Sequence, residues 1–305
     1  MIGGLNTAIL ANAVSLDDEV LDWHTAISKD GGSADSDTLM ALDKFMTTLK
    51  VNGVRDKIKR CNLFCGSNLR SCFHPIIKGE VGKPIGSEKD VNFGFRNSDY
   101  SLSRGLSAER LSSSALFSDA SKYLKTEGFL TSFGLDNYGG HVSFMSYGSE
   151  TSLSSVGGYM MPLCGGDYSM KNDLSAYVEF TDENTKAASP SSFNPSSSRG
   201  YVDLNALDGD TDVSGFWLAN RTSNTDQKLY KDAVVFNDSE STLDQIPYPI
   251  GGYKFRIFSA YSGGKESQTS IGKMLFYSIG ERLNESNITV LNDALTKFND
   301  ALGRN

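Results

Sequence analysis

The chain has 305 residues, too many for a disulfide-stapled mini-protein and enough for one large β domain or two modest ones. Hydrophobic residues make up 39% and charged residues 22%, which excludes a wholly disordered chain, and a net charge of −8 disfavours generic DNA or RNA binding. Glycine at 30 and proline at 7 favour many short strands joined by turns over long helices.

Met1-Ile2-Gly3-Gly4-Leu5 lacks the basic start of a signal peptide. No apolar run approaches the ~20 residues of a membrane span, so no membrane insertion is expected. The stretch to about Lys59 reads as helical. Val20, Leu21, Trp23, His24 and Ile27 form a first apolar cluster, which Asp30-Gly31-Gly32-Ser33 ends. A second helix is predicted from Asp37 or Thr38, with Asp37 as N-cap. Leu39, Leu42, Met46 and Leu49 lie on one face, and Gly53 is its stop. Arg55-Asp56-Lys57-Ile58-Lys59-Arg60 is the longest basic stretch. An aspartate interrupts it, and it reads as a solvated face rather than a phosphate track.

Cysteines stand at 61, 65, 72 and 164. Cys61-x3-Cys65-x6-Cys72-x-His74 has the residue types of a zinc site but lacks the C-x2-C knuckle. Period-2 spacing puts Cys61, Leu63 and Cys65 on one strand face, so buried reduced thiols are expected.

Beyond Cys61 the texture is that of strands. Val91–Arg96, His141–Tyr147, Ala176–Phe180, Gly200–Leu204, Gly215–Asn220, Lys228–Tyr230, Val234–Asn237, Tyr253–Ala260 and Gly272–Ile279 are the predicted ones. In Tyr253–Ala260, Tyr253, Phe255 and Ile257 face one way, and Lys254, Arg256 and Phe258 the other. Gln227–Asn237 reads as a hairpin turning at Lys231-Asp232-Ala233. Ala187–Arg199, rich in serine, reads as an exposed loop. Ile288, Leu291, Leu295, Phe298 and Leu302 predict a C-terminal helix, with Asn284 as N-cap, Leu283 stapled to Ile288, and Gly303 at C′. The fold class expected is therefore mainly β, an antiparallel sandwich or barrel with helical additions at both ends.

Several of these segments carry a family likeness. They are Asp30-Gly31-Gly32, Leu42-Asp43-Lys44-Phe45 and Leu49–Ile58, then Ser121–Thr126, His141–Tyr147, Gly215–Ser223 and Lys228–Asp232. Leu275–Leu283 and the helix ending Ala301-Leu302-Gly303-Arg304 complete them. Together they resemble a family of bacteriophage virion proteins with a laminin-G-like, concanavalin-type jelly roll. The resemblance implies a two-sheet jelly-roll sandwich over 61–305, including a helix at 284–302, preceded by a helical segment at 18–60. The first seventeen residues have no counterpart and are left as an arm or anchor. Asp232-Ala233 departs from the family's usual Asn-Gly turn. The implied role is a non-enzymatic virion part, namely a fibre, tail-associated protein or capsid decoration, assembled in the host cytoplasm. Its implied partners are other virion proteins and further copies of itself. The alternative is a carbohydrate-binding adhesin for host surface glycans.

Chemistry-bearing motifs are few. Asp208, Asp210 and Asp212 alternate like the first half of a calcium loop, but Val213 and Ala219 stand where an EF-hand needs Gly and Glu. They remain the candidate metal ligands, for a looser calcium site at a sheet rim, and no other cofactor is expected. Glycosidase chemistry needs paired carboxylates, and Glu179 is the one acid inside a confident strand. His24, His74 and His141 have no signalled catalytic partners, and Gly263-Gly264-Lys265 is not a phosphate loop. Tyr138, Tyr159, Tyr168, Tyr201 and Tyr261 are the aromatics placed to stack on a sugar.

Overall fold

The computed structural model describes residues 16–108, 122–133, 140–146, 158–165, 174–181, 184–188, 201–203, 214–223, 227–239, 254–262, 265–269 and 272–304. The expected antiparallel two-sheet sandwich, with helices at both ends, is the observed architecture.

The first sheet runs Val234–Ser239, Gln227–Lys231, Gly215–Arg221, Gly140–Ser146, Gly272–Gly280, Gly105–Ala108 and Tyr100–Ser101. Ile58–Asn62 pairs with the C-terminal half of Gly272–Gly280, and Gly105–Ala108 with its start. The second sheet runs Tyr201–Asp203, Asn184–Ala188, Leu174–Thr181, Gly158–Gly165, Lys254–Ile257, Tyr123–Phe129 and Val91–Phe93. Val142, Phe144, Trp217, Ala219, Leu229, Tyr277 and Ile279 of the first sheet meet Leu124, Phe255 and Ile257 of the second, forming the sandwich core.

The helices make a third layer on the opposite face of the first sheet. They are α1 (Asp18–Lys29), α2 (Ser36–Val51) and α4 (Glu285–Ala301), whereas Leu69 and Cys72 of the short α3 (Leu69–Cys72) join the sandwich core. Val20 and Trp23 of α1, Phe45 and Met46 of α2, and Leu291, Leu295 and Phe298 of α4 share a second core with Phe216, Leu218, Tyr230 and Phe276. Phe216 and Leu218 therefore face the helices while Trp217 and Ala219 face the other sheet. Burial on both sides explains why Gly215–Asn220 reads as a near-continuous apolar run.

The helix ends follow their local chemistry. Asp17 caps α1 by accepting from the Glu19 amide. Asp35, not Asp37, caps α2, accepting from the Thr38 amide at 2.8 Å. Asp37 lies two residues on, within the first turn, where an acid still favours the helix dipole. Gly53 (φ +67°) follows the α2 C-cap as expected. Asn284 and Asn287 form a reciprocal capping box on α4, Leu283 and Ile288 join the same core, and Gly303 (φ +62°) follows the C-cap. Arg304 then donates to the carbonyls of Leu102, Leu63 and Phe64 at 2.7–2.9 Å, fastening the helix exit to the β layer.

Several strands differ from the sequence reading. Val91–Arg96 is strand only to Phe93, because Gly94 (φ +87°) turns the chain and sends Phe95 into the sandwich core. Tyr253–Ala260 is two strands, Lys254–Ile257 and Ser259–Ser262, broken at Phe258 (φ +69°). That break flips Phe258 inward, against Phe95 with ring centroids 5.4 Å apart, rather than outward beside Lys254 and Arg256. Asn184–Ala188 is strand, so Ala187 and Ala188 are not part of a loop as expected, and 189–200 lies outside the described residues.

The hairpin Gln227–Lys231 and Val234–Ser239 turns through Asp232 (φ +51°) and Ala233 (φ +64°). Both central residues are left-handed, as the primed hairpin turn requires. The Asp232 carboxylate accepts from the Phe216 amide at 2.9 Å, which holds the turn on the neighbouring strand. Ala233 meets its φ with a Cβ in the way. Ala233→Gly is therefore expected to raise stability by roughly 0.5 kcal/mol, strain relief less the added unfolded-state entropy. A lower urea midpoint would contradict this.

Candidate functional site

Most polar residues that looked capable of chemistry are committed to holding the fold. Two arginines of the basic run are not solvated. Arg60 is fully buried against Asp90 (Nη2–Oδ1 2.8 Å), and Arg55 is paired through Nε to both Glu19 oxygens at 2.8 Å. Arg60 is buried because it points into the sandwich from a strand, and Arg55 is half-buried because it bridges α1 to the Gly79 carbonyl. Lys59 keeps a partly exposed ion pair with Glu281.

Cys61, Cys65 and Cys72 are free and buried. Cys61 and Cys65 share the helical-layer core with Leu63, whereas Cys72 belongs to the sandwich core. Burial pushes all three thiols up, Cys65 to about 12, so they are protonated where a metal would need thiolates. His74 instead faces Asp30, Nε2 to Oδ2 at 3.3 Å. Among the described residues, no group of three His, Cys, Asp or Glu is placed to hold a metal ion. Asp208, Asp210 and Asp212 lie outside the described residues. Cys164 falls on Gly158–Gly165, opposite Arg256 in register.

His141 stands beside two hydroxyls. Its Nδ1 donates to the Glu281 carbonyl at 2.6 Å, so Nε2 accepts from Ser278 Oγ at 3.0 Å, and Ser143 Oγ lies 2.6 Å beyond. Serine and histidine in contact resemble a nucleophile and its base. All three residues, however, are fully buried between strands, so the trio is a structural chain with no route for substrate. Glu179 pairs in register with Lys186 and Tyr159, and the described backbone brings no second acid opposite it.

Two surface clefts flank the helical layer. One, of about 700 Å³, lies between Glu19, Lys50, Arg55, Lys59 and Glu80. The other, of about 390 Å³, lies between Asp22, Asp30, His74, Lys78 and Lys89. In both, the charges are paired across the seam: Lys50 with Asp17 and Glu19, Lys78 with Asp22 and Glu88, and Lys89 with Asp30. These pairs strap helices to loops.

The first sheet is covered on both faces, and on the outer face of the second Arg256 is itself buried. Three neighbouring strands build that face. Leu124, Phe255 and Ile257 point into the sandwich, which turns Tyr123, Lys125, Lys254 and Arg256 outward. Phe93 pairs with Tyr123 in register, and their rings stack flat, 4.4 Å between centroids and 5° between planes. The Lys125 ammonium sits 5.4 Å from the Phe93 centroid. Glu127 is ion-paired to Lys254 and lies 3.9 Å from Lys125. Arg256 pairs with Lys125 in register and donates to the Lys254 carbonyl at 2.8 Å.

Sequence reasoning missed these residues. The tyrosines it singled out are elsewhere: Tyr138 and Tyr168 lie outside the described residues, and Tyr159, Tyr201 and Tyr261 fall on strands. The alternation Tyr123-x-Lys125-x-Glu127 was the available signal, and it marked only an outward strand face.

No family model matches the chain, and no curated protein matches it. Solved structures do. A sialidase CBM40 from Ruminococcus gnavus, bound to α2,3-sialyllactose, is 12% identical with a TM-score of 0.38, over 53% of this chain and 85% of that one. The botulinum neurotoxin serotype D binding domain is 12% identical with a TM-score of 0.43, over 78% and 51%. The NanB sialidase of Streptococcus pneumoniae, as its K499G mutant, is 10% identical with a TM-score of 0.35, over 52% and 24%. The likenesses are distant, and the chain spans about half of the toxin domain and a quarter of NanB.

Proposed function

We propose that this chain is a non-enzymatic structural component of a bacteriophage particle, in which the jelly roll serves assembly and surface display. One observation carries the reading. The segments that resemble the virion family are widely separated in sequence, yet Val20–Ile58, Leu275–Leu283 and α4 share a single core. A likeness that folds into one unit is a likeness of architecture rather than of scattered motifs. The layered build suits the role, because the helices and the Arg304 clasp fasten both ends of the described chain to the β layer. Mass spectrometry and cryo-EM of purified particles are expected to find the chain in many copies. Its absence from particles, in infected cells that make it, would overturn the reading.

A second reading, recognition of host surface sugars by the same displayed module, is favoured by the outer face of the second sheet. Two aromatic rings, two ammonium groups and a carboxylate stand there on neighbouring strands, the group types that contact a sugar's C–H faces and hydroxyls. Saturable binding of the purified chain on a glycan array would support it, and a blank array would sink it.

A further inference from the structure

We infer that Asn52, at the C-terminal end of α2, is a site of spontaneous deamidation, and that the helix cap in which it sits sets the rate. The site stands whether or not the chain is part of a particle.

Asn52-Gly53 is the only Asn-Gly pair in the 305 residues. The Gly53 amide nitrogen attacks Cγ of the Asn52 side chain, the Cγ–Nδ2 bond breaks, and ammonia leaves with the proton that Gly53 gives up. The succinimide ring so formed takes up water at either carbonyl and opens to aspartate or to isoaspartate. A Cβ on the attacking residue crowds the ring closure, and glycine has none. Asn52 and Gly53 are both exposed, a Cβ built on Gly53 would meet nothing within 4 Å, and Gly53 lines a surface cleft, so water reaches the joint. Elsewhere the fold withholds one of these conditions. Asn62, Asn220 and Asn299 are buried, and Leu63, Arg221 and Asp300 follow them. Asp30-Gly31 has the glycine, but its acid is ion-paired to Lys89, and an ionised carboxylate is a poor electrophile.

The cap restrains the reaction. Asn52 is the C-cap of α2 with ψ 7°, and its Nδ2 donates to the Thr48 carbonyl at 2.8 Å. At that ψ the Gly53 nitrogen lies beside the Asn52 nitrogen and away from Cγ. The Gly53 amide donates to the Lys50 carbonyl at 3.1 Å, and the Val54 amide to the Leu49 carbonyl at 2.9 Å. Nucleophile and electrophile are both tied up, so the ring closes only when the last turn of α2 has opened. Exposed helix ends open at little cost.

The reaction also removes what held the turn shut. Either product lacks the Nδ2 donor to Thr48 and places a carboxylate at the negative end of the helix dipole. Isoaspartate further inserts one carbon into the main chain, two residues before the fully buried Val54 and three before Arg55, which ties α1 through Glu19. Modification of Asn52 therefore loosens the joint between the helical layer and the strand Ile58–Asn62.

The test incubates the full chain at mildly alkaline pH beside a free peptide of residues 47–57. Peptide mass spectrometry locates the product, and methylation by an isoaspartyl methyltransferase counts isoaspartate. Asn52 is expected to convert ahead of every other asparagine, about tenfold more slowly than in the peptide, and faster when urea below the unfolding transition opens the turn. Asn52→Gln is expected to abolish the conversion. The converted chain is expected to unfold at lower urea than unconverted chain, while Asn52→Gln incubated alongside keeps its midpoint. An Asn52 that stays intact long after the peptide has converted, or while other asparagines convert, would overturn the site. Equal rates in chain and peptide would overturn the cap as the restraint. An unchanged midpoint in converted chain would overturn the loosening of the joint.

Discussion

Replacing Asp90 by alanine is expected to lower the free energy of unfolding by about 3–5 kcal/mol, the cost of leaving a buried cation without its counter-ion. Arg60, Asp90 and Tyr277 have no or almost no exposure. The Asp90 carboxylate accepts from Arg60 Nη2 at 2.8 Å, from the Tyr277 hydroxyl at 2.8 Å, and from Asn62 Nδ2 at 2.9 Å. Burial opposes the Arg60 charge, but Tyr277 and Asp90 beside it more than restore it. Burial also pushes the Tyr277 phenol well up, with Asp90 adding to the effect, so it stays a donor. Remove the carboxylate and Arg60 Nη2 and the Tyr277 hydroxyl lose their buried acceptor, while Asn62 Nδ2 keeps the Cys72 carbonyl at 3.0 Å. Arg60 keeps the Ile85 and Ser87 carbonyls, at 3.0 and 3.1 Å, and the Tyr277 hydroxyl at 3.1 Å, all of them neutral. Urea unfolding of Asp90→Ala measures the cost, and a change below about 1 kcal/mol would show that the network contributes little. Tyr277→Phe leaves the ion pair intact and is expected to cost less, about 1–2 kcal/mol.

The same network shows where a sequence stops being legible. Arg60 follows Asp56, Lys57 and Lys59 in a stretch that any local reading takes for a wetted surface. What buries it is a carboxylate thirty residues on and a hydroxyl more than two hundred residues on, and no local pattern encodes either. Elements whose partners are near in sequence were legible. α4 declares itself by its three-and-four apolar spacing and its Asn284 cap, and the Gln227–Ser239 hairpin by two short apolar runs around a polar turn. Strands with one wet face alternated and were found. The central strands of the first sheet sit between two cores and read only as apolar. Phe258 broke the alternation rule through one left-handed residue, whose cause is the packing beneath it.

The candidate site was less legible still. It joins Phe93, Lys125 and Lys254 through two pairings, Phe93 with Tyr123 and Lys125 with Arg256, of which the second skips more than a hundred residues. Its distinguishing mark, the left-handed Glu127, is a backbone angle that a residue name does not announce. The adjacent Gly128 was the one hint. The calcium reading of Asp208, Asp210 and Asp212 came from spacing alone, and those residues lie outside the ones described.

Acid is expected to destabilise the protein between pH 6.5 and pH 4, and His141 to supply about 3 kcal/mol of the loss. Burial between Gly140–Ser146 and Gly272–Gly280 pushes its pKa down to about 4, against partial support from the Glu281 carbonyl and carboxylate, with Lys57 opposing. The hydrogen bonds fix the neutral form. Nδ1 already donates to Glu281, and Nε2 must stay unprotonated to accept from Ser278. Above pH 6.5 neither the folded nor the unfolded histidine holds the extra proton, and the full stability is present. As the pH falls below 6.5 the unfolded chain takes up a proton that the folded chain refuses, so stability drops by up to 1.36 kcal/mol per pH unit until about pH 4. Below that both forms are protonated and this residue adds nothing further. His74, also held down by burial, contributes in the same direction, so the wild-type curve alone does not isolate His141. His141→Asn does. The variant gives up stability at neutral pH by losing ring packing and one bond, and in return its stability curve flattens between pH 6.5 and pH 4. Urea midpoints taken across that window for both proteins should converge as the pH falls. Parallel curves would mean that the imidazole is not the buried neutral group its hydrogen bonds demand.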